Sequence, residues 1–98
     1  MNVVSIASAS SVPTNASVTV ANTTTAVLAA PAKPVNRTIL IKNTGAQTVY
    51  LAFGEAATTA KFPLSAGETL RVTYSAAAIN GIVSSGTCNV AVLVEQAV

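Results

Sequence analysis

The stretch NRTILIKNTGAQTVYLAFG, residues 36–54, carries the clearest structural pattern in the chain. β-Branched and aromatic residues are concentrated on both sides of TGA, where Gly45 has the conformational freedom that a tight turn needs. The pattern predicts two antiparallel strands joined in a hairpin. In the second strand, Val49, Leu51 and Phe53 point to one face, as expected for a strand with one side in a core.

The rest of the chain continues as short strand-like runs separated by turn residues. These runs are TTAVLAA, LSAGETLRVTY, the segment around IV at 82–83, and TCNVAVLVEQ. Turns recur about every 8 to 12 residues, which is typical of small sandwiches and barrels. We therefore predict an all-β fold with almost no helix. The predicted architecture is a small antiparallel β-sandwich of jelly-roll or Greek-key type.

The chain has 98 residues, which suits a single domain. Residues 1–23 contain Ser, Thr, Asn, Ala and Val but no Gly and no aromatic residue. We predict an extended N-terminal arm over 1–23 and the β-sandwich domain over 24–98. The arm is predicted to add to the sheet edge of another copy or to a shell, and a disordered tail is the competing interpretation. Its strand-forming residues, predicted to lie in an interface, are Val3, Val4, Ile6, Val18 and Val20.

The composition indicates a protein that is covered by neighbours. Apolar residues make up 51% of the chain and charged residues only 8%, against roughly 25% charged in an ordinary soluble domain. A free monomer usually covers itself with mixed charge. The runs TILI and AVLVE are apolar on both faces, so Leu40 and Leu93 are surplus to a core. We predict that they and Tyr50 lie in a subunit or capsid interface. Isolated exposed leucines are the alternative.

Little in the sequence supports catalysis or ligand binding. The net charge of +2 comes from scattered residues, whereas a nucleic-acid surface needs clustered basic residues. There is no His or Asp, and Glu55 and Glu68 in predicted loops are the one candidate carboxylate pair, with two solvated loop charges as the alternative. We therefore expect no enzyme activity, metal site, cofactor or small-molecule substrate. No apolar stretch is long enough to cross a membrane.

Cys88 is the one cysteine of the chain. In CNVAVLVE, alternation places it on the same side as Val90, Val92 and Val94. A buried small hydrophobe is the interpretation that this pattern favours, because a nucleophile would need a histidine partner. If the site is dry, the hydroxyl of Cys88→Ser would lack a hydrogen-bond partner. We then predict that the free energy of unfolding falls by about 1–3 kcal/mol.

Sugar binding is the alternative that the aromatic residues raise. The aromatic side chains are Tyr50, Phe53, Phe62 and Tyr74. Phe53 and Tyr74 fall on predicted core faces, which leaves Tyr50 as the candidate for stacking on a sugar. A lone Tyr more often packs at the rim of a core.

Residues 24–95 resemble small β-rich virion proteins of tailed bacteriophages. The resemblance lies in AVLAA…P…R…ILIKNTG…VYLAFG, then FPLSAGETL, then a last strand after SSGT. It implies a capsid decoration (cement) protein or a head or tail accessory domain. Such a protein would be a homo-oligomer, often a trimer, that binds the major capsid protein at the capsid exterior and stabilises the shell. Tail-fibre and baseplate modules have similar hairpins, so a receptor- or glycan-binding module is the alternative.

Overall fold

The computed structural model describes residues 14–31, 37–73 and 77–96. Within these ranges the chain forms eight strands and no helix. The strands are β1 (Thr14–Ala21), β2 (Thr25–Leu28), β3 (Arg37–Asn43), β4 (Val49–Phe53), β5 (Phe62–Leu64), β6 (Thr69–Thr73), β7 (Ile79–Ile82) and β8 (Thr87–Gln96).

The strands form two antiparallel sheets of four strands each. Sheet A has the order β1-β8-β3-β6, and sheet B has the order β2-β7-β4-β5. Apart from β4 and β5, which are neighbours in sheet B, each pair of consecutive strands is divided between the two sheets. Crossing between two sheets in this order is the jelly-roll arrangement. The predicted all-β sandwich is therefore confirmed.

The predicted hairpin over residues 36–54 is wrong. β3 pairs with β6 and β8, whereas β4 pairs with β5 and β7 in the other sheet. Thr44 N–H donates to Asn89 O, which continues the β3–β8 ladder by one residue, and Asn43 Oδ1 accepts the N–H of Gly45 in the turn that follows. Gly45 does not have a positive φ. It is needed for space, since a Cβ there would collide with the Sγ atom of Cys88.

The predicted boundary at residue 23 also needs correction. β1 pairs with β8 along its whole length, from Thr14 with Val94 to Ala21 with Thr87. Strand β1 is thus part of the sandwich and not of an arm. The first part of the predicted arm, residues 1–13, lies outside the described residues.

The core fills the space between the two sheets. Alternate residues of β3 and β8 point into it. Cys88 is 4% exposed and shares the inner face of β8 with buried Val90, Val92 and Val94, as predicted. The largest fully buried apolar side chains are Val20, Ile39, Ile41, Val49, Leu51, Ile79, Val83 and Val90.

The outer face of sheet B is partly covered by the connection between β4 and β5. Asn80 Nδ2 donates to Glu55 O at 2.7 Å, and Ala57 N–H donates to Thr24 Oγ1 at 2.9 Å. Ala52 is only 2% exposed although it points away from the core. Sequence reasoning missed β5, because Pro63 suggested an irregular loop. An edge strand tolerates proline, since its outward N–H has no ladder partner to lose.

Candidate functional site

The inner face of β3 carries a polar side chain at each end, with Ile39 and Ile41 between them. At one end, Arg37 is 4% exposed. Its Nη1 donates to Ala29 O and its Nη2 to Ala77 O, both at 3.2 Å. Burial lowers the pKa of the Arg37 guanidinium. The side chain therefore ties the chain after β2 to the chain before β7.

At the other end of β3, Asn43 is fully buried. Its Nδ2 donates to Gln47 O at 2.6 Å and to Leu64 O at 2.9 Å. Its Oδ1 accepts the Gly45 N–H at 3.0 Å and the Cys88 thiol at 3.2 Å. Both amide hydrogens and both lone pairs are used, so this side chain is a structural link and has no capacity left for a ligand.

Sequence reasoning missed the roles of Arg37 and Asn43. The available pattern for Asn43 was an Asn at a strand end followed by Thr and Gly, which favours a local Asx turn. No pattern marked Arg37, because a charged residue at a strand end is ordinarily solvated.

Glu55 and Glu68, the candidate carboxylate pair, each bond to a residue of their own loop and not to a common site. Glu55 Oε1 forms an ion pair with Lys61 Nζ at 3.2 Å. Glu68 Oε1 accepts the Ser65 N–H at 2.7 Å, which closes the turn between β5 and β6. Nowhere in the described ranges do three or more His, Cys, Asp or Glu side chains lie close enough to hold a metal ion. The same ranges contain no helix long and apolar enough to span a membrane.

The outer face of sheet A is the surface on which predicted interface residues come together. Leu40 in β3 and Leu93 in β8 are direct neighbours across the ladder. Both are half-buried, and they point away from the core because Ile39 and Ile41 point into it. On the other side, Leu93 lies opposite Asn15 of β1. The two leucines therefore form a continuous apolar strip across the middle of the sheet.

A shallow, open concavity of about 540 Å³ lies on this face. Leu40, Leu93 and Ala91 form its apolar part, and Asn15 and Ser17 of β1 border it with uncharged side chains. Small-molecule sites are enclosed and bring several polar groups together. This surface is open and mostly apolar, so its shape fits another protein surface better than a small ligand.

Charged side chains border the apolar strip. Arg71 of β6 lies opposite Leu40, and Lys42 lies one step along the same face of β3. Glu95 lies one step along the outer face of β8 from Leu93, and all three side chains are exposed. An apolar centre bordered by charged residues is the usual arrangement of a protein interface.

The other predicted interface residues do not join this surface. Val20 is fully buried in the core, and Val18 packs against the core from the inner face of β1. Val18 and Val20 therefore pack within their own subunit, and the prediction that they lie in an interface is wrong. Tyr50 is half-buried on the outer face of sheet B, opposite Ile82 and Pro63. Three further predicted residues lie outside the described part of the chain, namely Val3, Val4 and Ile6.

Comparisons with known proteins support the fold alone. No protein-family model and no curated protein matches the chain. Among solved structures, the chain is similar to a protein of Bacillus endospore appendages, which form a novel family of disulfide-linked pili. That protein is 14% identical over 90% of this chain and 87% of the other, with a TM-score of 0.60. A de novo designed double-stranded β-helix is 17% identical over 85% and 97%, with a TM-score of 0.49. PirA is 21% identical over 84% and 92%, also with a TM-score of 0.49.

Proposed function

We propose that the chain is a non-enzymatic structural protein of a virion, a decoration (cement) protein that associates with copies of itself and binds the outside of the capsid shell. The observation that carries this proposal is the outer face of sheet A. There, Leu40 and Leu93 lie side by side on an open surface, in a chain with only 8% charged residues.

The energetics favour a covered surface. Fully burying a leucine side chain contributes about 1.5–3 kcal/mol, and each of these two leucines is already half-buried in the free subunit. A partner surface that covers this position would bury the remaining exposed area of both leucine side chains at once. Because a few central apolar anchors carry most of the binding energy in an interface, we assign that role to Leu40 and Leu93.

The charges on this face specify the partner further. Lys42 and Arg71 border the apolar strip, and exposed Glu95 lies one step along the outer face of β8 from Leu93, so the complementary site on the shell has an apolar centre with charges of both signs at its rim. Rim charges act mainly on association rate and are screened by salt. Binding to the shell is therefore expected to weaken as the ionic strength rises, without being abolished.

The Bacillus appendage protein, which shares this fold at 14% identity, is part of a pilus, and it gives one example of the fold in an assembly, the coarser part of the proposal. Its disulfide linkage does not transfer to this chain. Cys88, the one cysteine, is buried and its thiol donates to Asn43. Contacts between copies of this chain are therefore proposed to be non-covalent.

Co-sedimentation with purified capsids that lack the protein tests the proposal. Leu40→Lys and Leu93→Lys each place a charge in the apolar strip and are expected to weaken binding at least about tenfold, equivalent to 1.4 kcal/mol. Ala26→Lys is the matched control, because Ala26 is exposed on β2 in sheet B. Unchanged binding of both leucine variants would show that this face does not contact the shell.

A receptor- or glycan-binding module of a tail fibre or baseplate is the second candidate. One observation favours it: Tyr50 lies between Ile82 and Pro63 on the outer face of sheet B, a small apolar platform of the kind on which sugars stack. A specific hit on a glycan array that Tyr50→Ala removes, together with absent capsid binding, would favour this second function over the first.

A further inference from the structure

The four sheet edges of the described chain differ in how they are protected. A free edge strand pairs with other chains unless a short length, a proline, a charge or a bulge prevents it. β5 has three residues and contains Pro63. β2 has four residues and a register shift between Ala26 and Leu28. β6 carries Arg71. β1 has eight residues with no proline, charge or register shift, so among the described strands it is the edge open to pairing.

The direction of the β1 backbone can be read from its last residue. Ala21 N–H donates to Thr25 Oγ1 at 3.1 Å, and Ala21 O accepts the Val83 N–H at 3.0 Å. Both groups of Ala21 thus point away from β8. Main-chain groups in an antiparallel strand alternate direction from one residue to the next. The main-chain N–H and C=O groups of Thr19, Ser17 and Asn15, every second residue before Ala21, therefore also point away from β8.

The side chains of Asn15, Ser17 and Thr19 do not hinder the pairing of β1 with β1 of a second copy. They are exposed and uncharged, and Thr19 Oγ1 already donates to Asn89 Oδ1 within the subunit at 2.8 Å. When a strand pairs with its own copy, a charge near the centre faces the same charge, and like charges directly opposite each other are destabilising. β1 has no such charge, whereas Arg71 would oppose itself in a β6 pair.

We infer that β1 pairs antiparallel with β1 of a second copy, about a two-fold axis at Ser17. In this register Ser17 faces Ser17 and Asn15 faces Thr19. Each of these residue pairs exchanges both of its N–H···O bonds, and Ala21 keeps its partners inside its own subunit. The contact is isologous and joins the two copies of sheet A into one continuous sheet by strand addition.

The pairing also enlarges the surface described above. Asn15 is the ladder neighbour of Leu93, so the apolar strips of both copies lie on one face, on either side of the axis. The inference names the self-association surface of the proposed structural protein and rests on that proposal for its biological setting. The pairing itself is measured in solution without a shell, so it can fail while capsid binding succeeds, and the reverse.

Site-directed cross-linking of the full chain tests the register. In the proposed pair, the two Ser17 Cα atoms lie about 5.5 Å apart, which a disulfide can span. Ser17→Cys is expected to form a covalent dimer under mild oxidation. Ser85→Cys is the matched control, since Ser85 is exposed in the connection before β8, and it is expected to stay monomeric on a denaturing gel. Equal cross-linking of the two variants, or none with Ser17→Cys, would overturn the register.

Sedimentation equilibrium tests the backbone contact. Ser17→Pro removes the edge-directed N–H while leaving the ladder with β8 intact, and Ser17→Lys places like charges at the axis. Each is expected to raise the dimer dissociation constant at least about tenfold, and Ser17→Ala to leave it unchanged. Ser17→Lys and Ser17→Ala keep the main-chain N–H, so they remain informative if the proline impairs folding.

Two results would overturn the inference. One is a wild-type chain that is monomeric at about 1 mM or forms trimers. The other is a Ser17→Lys variant that dimerises like the wild type.

Discussion

The thiol of Cys88 in β8 donates a hydrogen bond to Oδ1 of Asn43 in β3, with 3.2 Å between the two heavy atoms. Both residues are buried. The amide of Asn43 also donates to Leu64 O in β5, a strand of the other sheet. The two sheets are therefore joined at this end of the sandwich by a satisfied polar cluster in addition to apolar packing.

Asn43→Ala is expected to lower the free energy of unfolding by about 3 kcal/mol or more, because each buried group left without a partner costs about 1–3 kcal/mol. The carbonyl of Leu64 loses the Asn43 donor, the carbonyl of Gln47 keeps only the more distant Cys88 thiol, and the N–H of Gly45 loses its acceptor. Urea unfolding followed by circular dichroism measures the effect. Asn89→Ala is the control, since Asn89 is exposed. Equal losses in the two variants would contradict the structural role.

Cys88→Ser is expected to cost about 1 kcal/mol or less. This is less than the cost expected for a dry site, because the structure provides acceptors for the hydroxyl. Asn43 Oδ1 and Gln47 O lie 3.2 and 3.5 Å from the sulfur. Cys88→Ala, which keeps no donor, is the comparison. A loss above about 3 kcal/mol for the serine variant in urea unfolding would mean that the hydroxyl is not accepted there.

Strands and their faces were predictable because alternation is a local property. The last predicted run coincides with β8, and its inward residues are the predicted ones. The partner of each strand was not predictable in the same way. The residues TGA after β3 indicate a turn, but a turn that closes a hairpin and a turn that crosses between sheets use the same residue types. The crossing is decided by strand pairing, in which β3 lies beside β8 and β4 beside β7, and these pairings join residues far apart in the sequence.

The candidate site was predictable residue by residue but not as a surface. Leu40 and Leu93 were each assigned to an outer face because their runs are apolar on both sides. That they are neighbours follows from the β3–β8 pairing, a long-range contact. Alternation also places Tyr50 on an outer face, yet β4 belongs to sheet B. A buried Asn such as Asn43 is recognised only through its partners, which no local pattern reveals.

Gly45→Ala is expected to destabilise the fold by about 1–3 kcal/mol, the usual cost of inserting a methyl group into a packed site. The new Cβ would collide with the Sγ of Cys88 and lie 3.2 Å from the Asn89 nitrogen. Removing the sulfur should recover part of the loss. In a double-mutant cycle with Cys88→Ala, we expect a coupling energy of at least about 0.5 kcal/mol.

Val83→Ala provides the control cycle for Gly45→Ala. Val83 is also buried, but it is not among the atoms that the new methyl group would meet. The effects of Gly45→Ala and Val83→Ala should therefore add. Simple additivity in the Cys88 cycle as well would indicate that the sulfur is not what excludes a side chain at position 45.

Arg37→Met is expected to lower the free energy of unfolding by about 1–3 kcal/mol, measured by urea unfolding. Methionine keeps an unbranched apolar stem but cannot donate to Ala29 O and Ala77 O. The loss is limited because removing a buried charge also removes its desolvation cost. Arg37→Lys should not rescue stability, because a compact ammonium lacks the rigid fork that reaches two carbonyls on different connections.

Arg71→Met is the control for Arg37→Met, since Arg71 is exposed on β6, and its effect should stay within about 0.5 kcal/mol. The pH dependence has a defined sign. Burial lowers the pKa of Arg37 in the folded state, so the unfolded chain binds this proton more tightly. The contribution to the unfolding free energy therefore rises with pH, and only in the strongly alkaline range where arginine titrates. An Arg37→Met variant as stable as Arg71→Met would show that the two carbonyls do not depend on the guanidinium, and that the polar end of β3 at Arg37 is dispensable for the sandwich.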